Sequence, residues 1–502
     1  MKENEDDETK KEKKKVEKKK KMKDKMDKEM AFFGNATDFD QFQTEQRVLK
    51  FFDEIGFTTK DSENFKGKAD YYRLKHYEFA KNLMISLPNH YSALDSGFPW
   101  LLYWVSNIIS MCKDNYALDY DTKLKFVQIL KELQHKDGGF CGTPKGYAHL
   151  ISSYAAIMCI VNLGIKEAYD LVDIPKMKNF LLNMKNNNFD VDKKPSYVDK
   201  NGTYLITKEK EGDFLSYHTA YPGTFQNHYN GESDLRSTYC AITLASVLNL
   251  INWNDIKNDP LTKGVVENIK NCQTFEGGLG PEPYNEAHGG YTYCGVATLV
   301  LLGQLNEIDV DSLLRWLVNR QMTKEGGFNG RTNKLVDSCY SFWQASVFNL
   351  LYMSDKKYSF EAELLYDQLS LQAYILFACQ NKKSGGLFDK PGKSPDLYHT
   401  NYSTAGLSLS QECQIEECKL SLDTDLDKVF EKVNPIYCTT DDNVKKAIKY
   451  YYELGKMEEN KTNIESKTDP IVETNKESTV EKNKEIIEEK NTEPNTDNNI
   501  NK

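Results

Sequence analysis

The chain has 502 residues, 39% of them hydrophobic, 12% aromatic and 28% charged, with a formal net charge of −10. This is apolar enough for one large domain, or two or three smaller ones, and too apolar for a wholly disordered chain. No apolar run approaches the roughly eighteen residues of a membrane helix, the Lys/Glu-rich start lacks the apolar stretch of a secretory signal, and the acidic balance weighs against a nucleic-acid partner.

Residues 1–30 carry 13 Lys against 10 Asp and Glu and no aromatic. With no apolar face to bury, the first 35 residues are expected to be a disordered, solvated segment. The folded body is expected over about 40–455. It holds all eleven cysteines and all five tryptophans. The cysteines are odd in number and scattered, which reads as reduced intracellular thiols. From about Lys456 to Lys502 the chain turns to Asn, Thr, Lys and Glu, and a disordered C-terminal tail is expected there.

Within the body, apolar residues recur at helical spacing. Ser237–Asn249, Tyr291–Leu305 and Leu365–Phe377 are predicted helices, while strand-type alternation is scarce. A unit repeats along this all-α body. Asp137-Gly-Gly-Phe140, Glu211-Gly-Asp-Phe214, Glu276-Gly-Gly-Leu279, Glu325-Gly-Gly-Phe328 and Ser384-Gly-Gly-Leu387 each end one helix. Each precedes a loop and a second helix with an aromatic in its first turn. Helix pairs of this kind cannot bury their apolar faces alone and must stack, as an open solenoid or a closed ring. A closed ring gathers the N-termini of its inner helices at one end of a central cavity, where their dipoles favour anions. Tyr154, Tyr239, Tyr291, Tyr340, Phe342, Trp343 and Tyr402 would line it, which suits a long apolar ligand with a phosphate head.

Three loops before those helices concentrate ionisable residues: Glu286–Tyr291, Gly330–Tyr340 and Asp389–His399. Asp337, Cys339 and His399 offer carboxylate, thiolate and imidazole, a three-ligand set of the catalytic zinc type with one open position. Spacing alone leaves two other readings open: Asp337 as a helix cap, and His399 as a capping or packing residue. His288, Arg331, Lys334 and Tyr340 are the mixture of groups that suits a diphosphate. No P-loop, dinucleotide fingerprint or serine nucleophile elbow is present.

The stretches Glu276–Cys294, Asn319–Phe328, Arg331–Gln344 and Gly385–Tyr402 resemble the β subunits of protein prenyltransferases, those of farnesyltransferases most closely. The likeness covers roughly 70–455. It implies an α/α toroid paired with an α subunit in a cytoplasmic heterodimer without stable membrane insertion. By this resemblance Asp337, Cys339 and His399 hold Zn2+, and the acceptor cysteine of a C-terminal CaaX protein binds as a thiolate and attacks farnesyl diphosphate. His288, Arg331, Lys334 and Tyr340 then stabilise the leaving diphosphate, with Asp389 matching a Mg2+ position and Lys393 nearby. His149, Glu232 and Arg236 match positions that hold the peptide carboxylate. Trp100, Trp104 and Tyr398 match the peptide wall, and Tyr154, Tyr239, Gly290, Tyr291, Cys294 and Trp343 the isoprenoid tunnel. Trp100 and Tyr402 stand at the tunnel floor, where bulk restricts the donor to fifteen carbons.

The chain departs from that pattern at Ile151 and Ser152 beside His149, and in insertions at about 186–210 and 215–231. The competing readings are a type I geranylgeranyltransferase β subunit, a non-catalytic toroid scaffold, and a terpene cyclase. The last lacks an acid-rich motif in the repeat loops, and the intact Asp-Cys-His set argues against the scaffold.

Overall fold

The computed structural model describes residues 33–112, 117–186, 221–354, 365–412, 419–422 and 430–465. Residues 1–32 of the expected N-terminal segment and most of the C-terminal tail lie outside these residues, while Asn35 already caps the first helix. The body reaches further than the composition suggests at its C-terminal end, where the last helix continues past Lys456 to Glu465.

Helix α1 (Ala36–Ile55) is followed by alternating outer and inner helices. These are outer α2 (Arg73–Ile85), inner α3 (Phe98–Met111), outer α4 (Tyr120–Leu133) and inner α5 (Leu150–Leu163), then the single turn α6 (Lys166–Tyr169). Outer α7 (Ile174–Met184), inner α8 (Leu235–Val247), outer α9 (Val265–Asn271) and inner α10 (Gly289–Leu301) continue the series. Outer α11 (Val310–Val318), the inner pair α12 (Tyr340–Trp343) and α13 (Ala345–Ser354), outer α14 (Gln368–Ala373) and inner α15 (Leu397–Gln411) complete it, and α16 (Asp441–Glu465) ends the described chain. The predicted helix Leu365–Phe377 is α14 continued by a π turn over Tyr374–Ala378.

Residue pattern separates the two layers. Helix α5 is buried along nearly its whole length, as an inner helix must be, whereas α11 buries only Val310, Leu313, Trp316 and Leu317, one face at helical spacing. Outer helices α4, α7, α11 and α14 start with Asp119, Asp173, Asp309 and Asp367, each accepting a backbone N–H of its own first turn. Helix α14 is buried on all sides because α1 and the turn after it cover the outside of this unit.

The inner helices close a ring. Successive members pack together, and α15 returns to α3, where Asn107 Nδ2 donates to Asn401 Oδ1 at 2.8 Å. Two repeated devices set the curvature. Each Gly turn lies against the next outer helix: a Cβ on Gly138 would sit 2.2 Å from the Lys176 carbonyl oxygen, and one on Gly385 2.0 Å from that of Lys75. The second contact joins the last turn to the first outer helix. The glycines are thus required by close approach as well as by positive φ. A side chain just before each turn also donates to the carbonyl ahead of the next outer helix. Gln134 reaches Leu171 at 2.9 Å, Gln273 reaches Asp309 at 2.8 Å, Gln321 reaches Asp367 at 2.7 Å and Gln380 reaches Asp70 at 2.8 Å.

The second Gly turn differs from the sequence expectation. Glu211–Phe214 lies outside the described residues, and the place is filled by Gly223-Thr-Phe225, whose Phe225 pairs with Lys185 as Phe140 pairs with Gln134. Residues 221–231 are therefore regular repeat and not insertion. The inserted segment falls between Asn186 and Tyr221, outside the described residues.

One end of the ring is plugged. Strands β1 (Val433–Asn434) and β2 (Thr439–Thr440) form a small antiparallel hairpin whose turn enters the bundle. Tyr103 donates to the Cys438 carbonyl at 2.8 Å, Tyr239 to Ile436 at 2.7 Å and Tyr293 to Pro435 at 2.9 Å. The nine cysteines among the described residues are free and buried, in line with reduced thiols. No described helix is long and apolar enough to cross a membrane.

Candidate active site

The ionisable residues gather at the N-terminal ends of the inner helices. Asp337 and Cys339 enter α12 and His399 stands in the first turn of α15, so helix contact between α12 and α15 brings them together. One ligand atom from each lies within 4.8 Å of the other two. His399 does not precede its helix but sits inside it, held by Asp396, whose Oδ1 caps the His399 N–H at 2.8 Å and whose Oδ2 meets Nδ1 at 2.7 Å. That contact turns Nε2 toward Asp337 Oδ1, 3.3 Å away. A carboxylate behind the imidazole is the usual support of a metal-binding histidine.

The electrostatics of the cluster ask for a cation. Burial would lower the His399 pKa, yet Asp337 and Asp396 outweigh it and hold it at about 9. Burial and the Asp337 carboxylate push the Cys339 thiol far up. Asp337 is held low because His399 and the Cys339 N–H outweigh its burial. A divalent cation would displace the imidazole proton and ionise the thiol. The donor set and its backing therefore fit zinc.

Next to this cluster, His288 caps α10 with its own ring: Gly290 N–H donates to Nδ1 at 3.0 Å. That bond leaves Nδ1 without a proton, so the neutral ring carries it on Nε2, which lies 3.0 Å from the Tyr340 hydroxyl. Burial, with Arg331 and Arg236 nearby, lowers the His288 pKa and keeps the ring neutral. Tyr340 thus accepts from His288 and keeps its own hydroxyl proton free to donate. Arg331 is half-buried and paired with Glu286 at 2.7 Å, and Lys334 and Lys393 are exposed. Asp389 is half-buried and ion-paired with Lys390, a contact that a Mg2+ ion there would have to displace. Burial and the charge of Asp337 raise its pKa.

A third group spans α5 and α8. The His149 and His228 rings lie 5.6 Å apart, and His228 Nε2 is 3.9 Å from Glu232 Oε2. Arg236 is clamped on Asp234 at 2.6 Å and lies over Tyr291 at 5.5 Å, so it does not pair with Glu232. The interior between these groups is aromatic. Trp100 packs on Trp104, Tyr103 and Tyr154, and Tyr402 on Trp343 and Tyr398. Trp343 Nε1 donates to Tyr398 at 3.0 Å. Cys294 is buried, and a Cβ on Gly290 would meet only the His288 ring, at 3.5 Å.

Comparison with known proteins gives the family and the fold. The description "Prenyltransferase alpha-alpha toroid domain" covers residues 72–439. The protein farnesyltransferase subunit beta of Arabidopsis thaliana is 30% identical over 83% of this chain and 89% of its own length. The chain belongs to the protein farnesyltransferase β-subunit family. The Saccharomyces cerevisiae subunit is 35% identical over 73% of this chain and 77% of its own. Among solved structures, Candida albicans protein geranylgeranyltransferase-I complexed with GGPP aligns with a TM-score of 0.56 at 21% identity. It covers 75% of this chain and 98% of that one, and shows the shared fold.

Within this farnesyltransferase-family chain, four contributors escaped the sequence reading. Asp396 reads in sequence as a plain helix cap, and only the fold shows its second oxygen on His399. Asp234 and His228 join the Arg236 and His149 group. At the third unit Tyr293, and not Tyr291, is the counterpart of Tyr154 and Tyr239, their hydroxyls running in a chain at 3.2 and 3.1 Å. Its place as fifth residue of an inner helix, shared with those two, was the available signal.

Proposed function

We propose that this chain is the catalytic β subunit of a cytoplasmic protein farnesyltransferase that, with an α subunit, moves the farnesyl group of farnesyl diphosphate to the cysteine thiol of CaaX-terminated proteins. The observation that carries the reading is the convergence of Asp337, Cys339 and His399 beside the His288–Tyr340 pair, at the rim of an aromatic interior. Zinc held by the three ligands supplies the means to ionise an acceptor thiol near neutral pH. Tyr340 donates to the diphosphate as charge develops on it, with neutral His288 orienting the phenol. Arg331 and Lys334 add positive charge on the solvent side, and Asp389 is the candidate Mg2+ ligand. His149, Glu232 and Arg236, joined by His228, are the candidate readers of the peptide carboxylate. Trp100, packed on Tyr154, and Tyr402, packed on Trp343, are the candidate tunnel floor, whose bulk favours a fifteen-carbon over a twenty-carbon donor.

The test is prenyl transfer by the chain co-produced with a partner subunit. A CaaX peptide is offered farnesyl or geranylgeranyl diphosphate, before and after zinc chelation. Zinc-dependent transfer that prefers farnesyl is expected. No transfer from either donor by an assembled, zinc-loaded heterodimer would return the chain to the scaffold reading.

A further inference from the structure

Tyr374 stands on the outer side of the ring and touches none of the three candidate ligands. It opens the π turn that continues α14, an irregularity that is frequent at functional sites. Its ring is wholly buried in a small apolar cluster apart from the main core, with Val48 and Phe52 of α1, Val336 and Cys379. Gly327 makes room for it: a Cβ there would lie 2.4 Å from the Tyr374 ring.

The hydroxyl of this outer residue reaches inward. It donates to the Asp389 carbonyl oxygen at 2.8 Å, and the same oxygen accepts the Ser338 backbone N–H at 2.9 Å. Ser338 is the residue between Asp337 and Cys339. One carbonyl oxygen, with both lone pairs used, therefore joins the loop of the candidate magnesium residue to the peptide that carries two of the three ligands. The Ser338 side chain strengthens the same joint, donating to the Phe388 carbonyl at 2.9 Å. Helix α1, which lies outside the region matched by the family description, closes over the ring from the other side. It is pinned to this unit by Gln41 on Glu325 at 2.8 Å and by Glu45 on Lys324 at 2.6 Å.

We propose that Tyr374 is a positioning residue of the metal cradle, carrying the hold of the N-terminal helix α1 through the Asp389 carbonyl to the Asp337–Cys339 segment. The proposal rests on the zinc reading above and extends it to residues beyond the ligands. Removing the hydroxyl leaves that oxygen with the Ser338 N–H and only the long, weak contact of the Cys379 thiol at 3.9 Å, and loosens the spacing of Asp337 and Cys339 against His399 without emptying the core.

The test uses Tyr374→Phe in the full chain assembled with its partner subunit. Three quantities are read: zinc affinity by chelator competition, the visible absorption of the cobalt-substituted protein, and the melting midpoint of the metal-free protein. Zinc affinity is expected to fall about tenfold, the scale seen for groups that support metal ligands. The cobalt bands should shift, while the metal-free midpoint moves by less than about 4 °C. Val48→Ala loosens the ring from the α1 side with the hydroxyl intact, and is expected to shift affinity and bands the same way by less. It carries the test if Tyr374→Phe does not assemble. Wild-type affinity and bands in the variants overturn the proposal, as does a fall in midpoint with unaltered bands. A wild-type protein that binds no zinc overturns the metal reading itself.

Discussion

His399 Nε2 and Asp337 Oδ1 face each other at 3.3 Å across the contact between α12 and α15. The pair holds a proton where the ligand set would hold a metal, and the competition between proton and cation sets how this centre responds to pH and substitution.

In the metal-free protein, the folded His399 pKa of about 9 stands above its ordinary 6.5. A raised pKa means that the ion pair stabilises the fold fully below about pH 6.5, and that this contribution is lost as pH rises through about 9. The chelated protein should melt progressively lower across that window. His399→Gln should flatten the decline, as read by thermal melts at each pH.

Asp396 acts on His399 from behind. Asp396→Asn keeps an oxygen for the helix cap but removes the negative charge from Nδ1, and zinc affinity is expected to fall about 10- to 100-fold. Chelator competition measures this directly, and binding of the prenyl diphosphate should stay at the wild-type level.

Cys339→Ala removes a ligand without touching the His288–Tyr340 pair. Transfer should be abolished while prenyl diphosphate affinity is largely retained, as followed by titration calorimetry. Equal loss of both would contradict the division between a metal side and a diphosphate side.

Tyr340→Phe tests the direction of the hydrogen bond from His288. With the phenol proton gone, the transfer rate constant should drop by roughly 100- to 1,000-fold, because the donor is aimed at charge that grows during reaction. Single-turnover rates should show the loss while the donor Kd changes little.

Lys185 is the exception among the side chains that clasp one outer helix to the next. It stands where four other units use glutamine, buried, with Nζ donating to the Leu261 carbonyl at 2.8 Å. Burial lowers its pKa from 10.5 to about 7. A lowered pKa penalises the fold fully below about pH 7, and the penalty fades as pH rises toward 10.5. Lys185→Gln should therefore raise the melting midpoint by about 2–4 °C at pH 6, with the gain shrinking by pH 10.

The sequence by itself determined the helices, the repeated turns and the chemistry on offer. Periodicity marks Ser237–Asn249, Tyr291–Leu305 and Leu365–Phe377 as helices, paired glycines mark the turns, and the stretches around Asp337, Cys339 and His399 carry the family likeness. These are local signals, because helix pattern, turn conformation and motif spacing are each written within a few residues. Tertiary structure alone decided what faces what. Asp337 and His399 are far apart in the chain and meet because α12 packs against α15, and Arg236 turns back on Asp234. Tyr293 joins the inner line of Tyr154 and Tyr239, while Tyr291 lies beneath Arg236. Asp396 serves as both cap and imidazole support, since its two oxygens find partners that sequence does not place side by side. Tyr374 reads as one more apolar helix residue until the π turn and the packing of α1 aim its hydroxyl at the Asp389 carbonyl. Which lone pair meets which proton depends on the packing of distant elements, and that is settled only when the ring shuts.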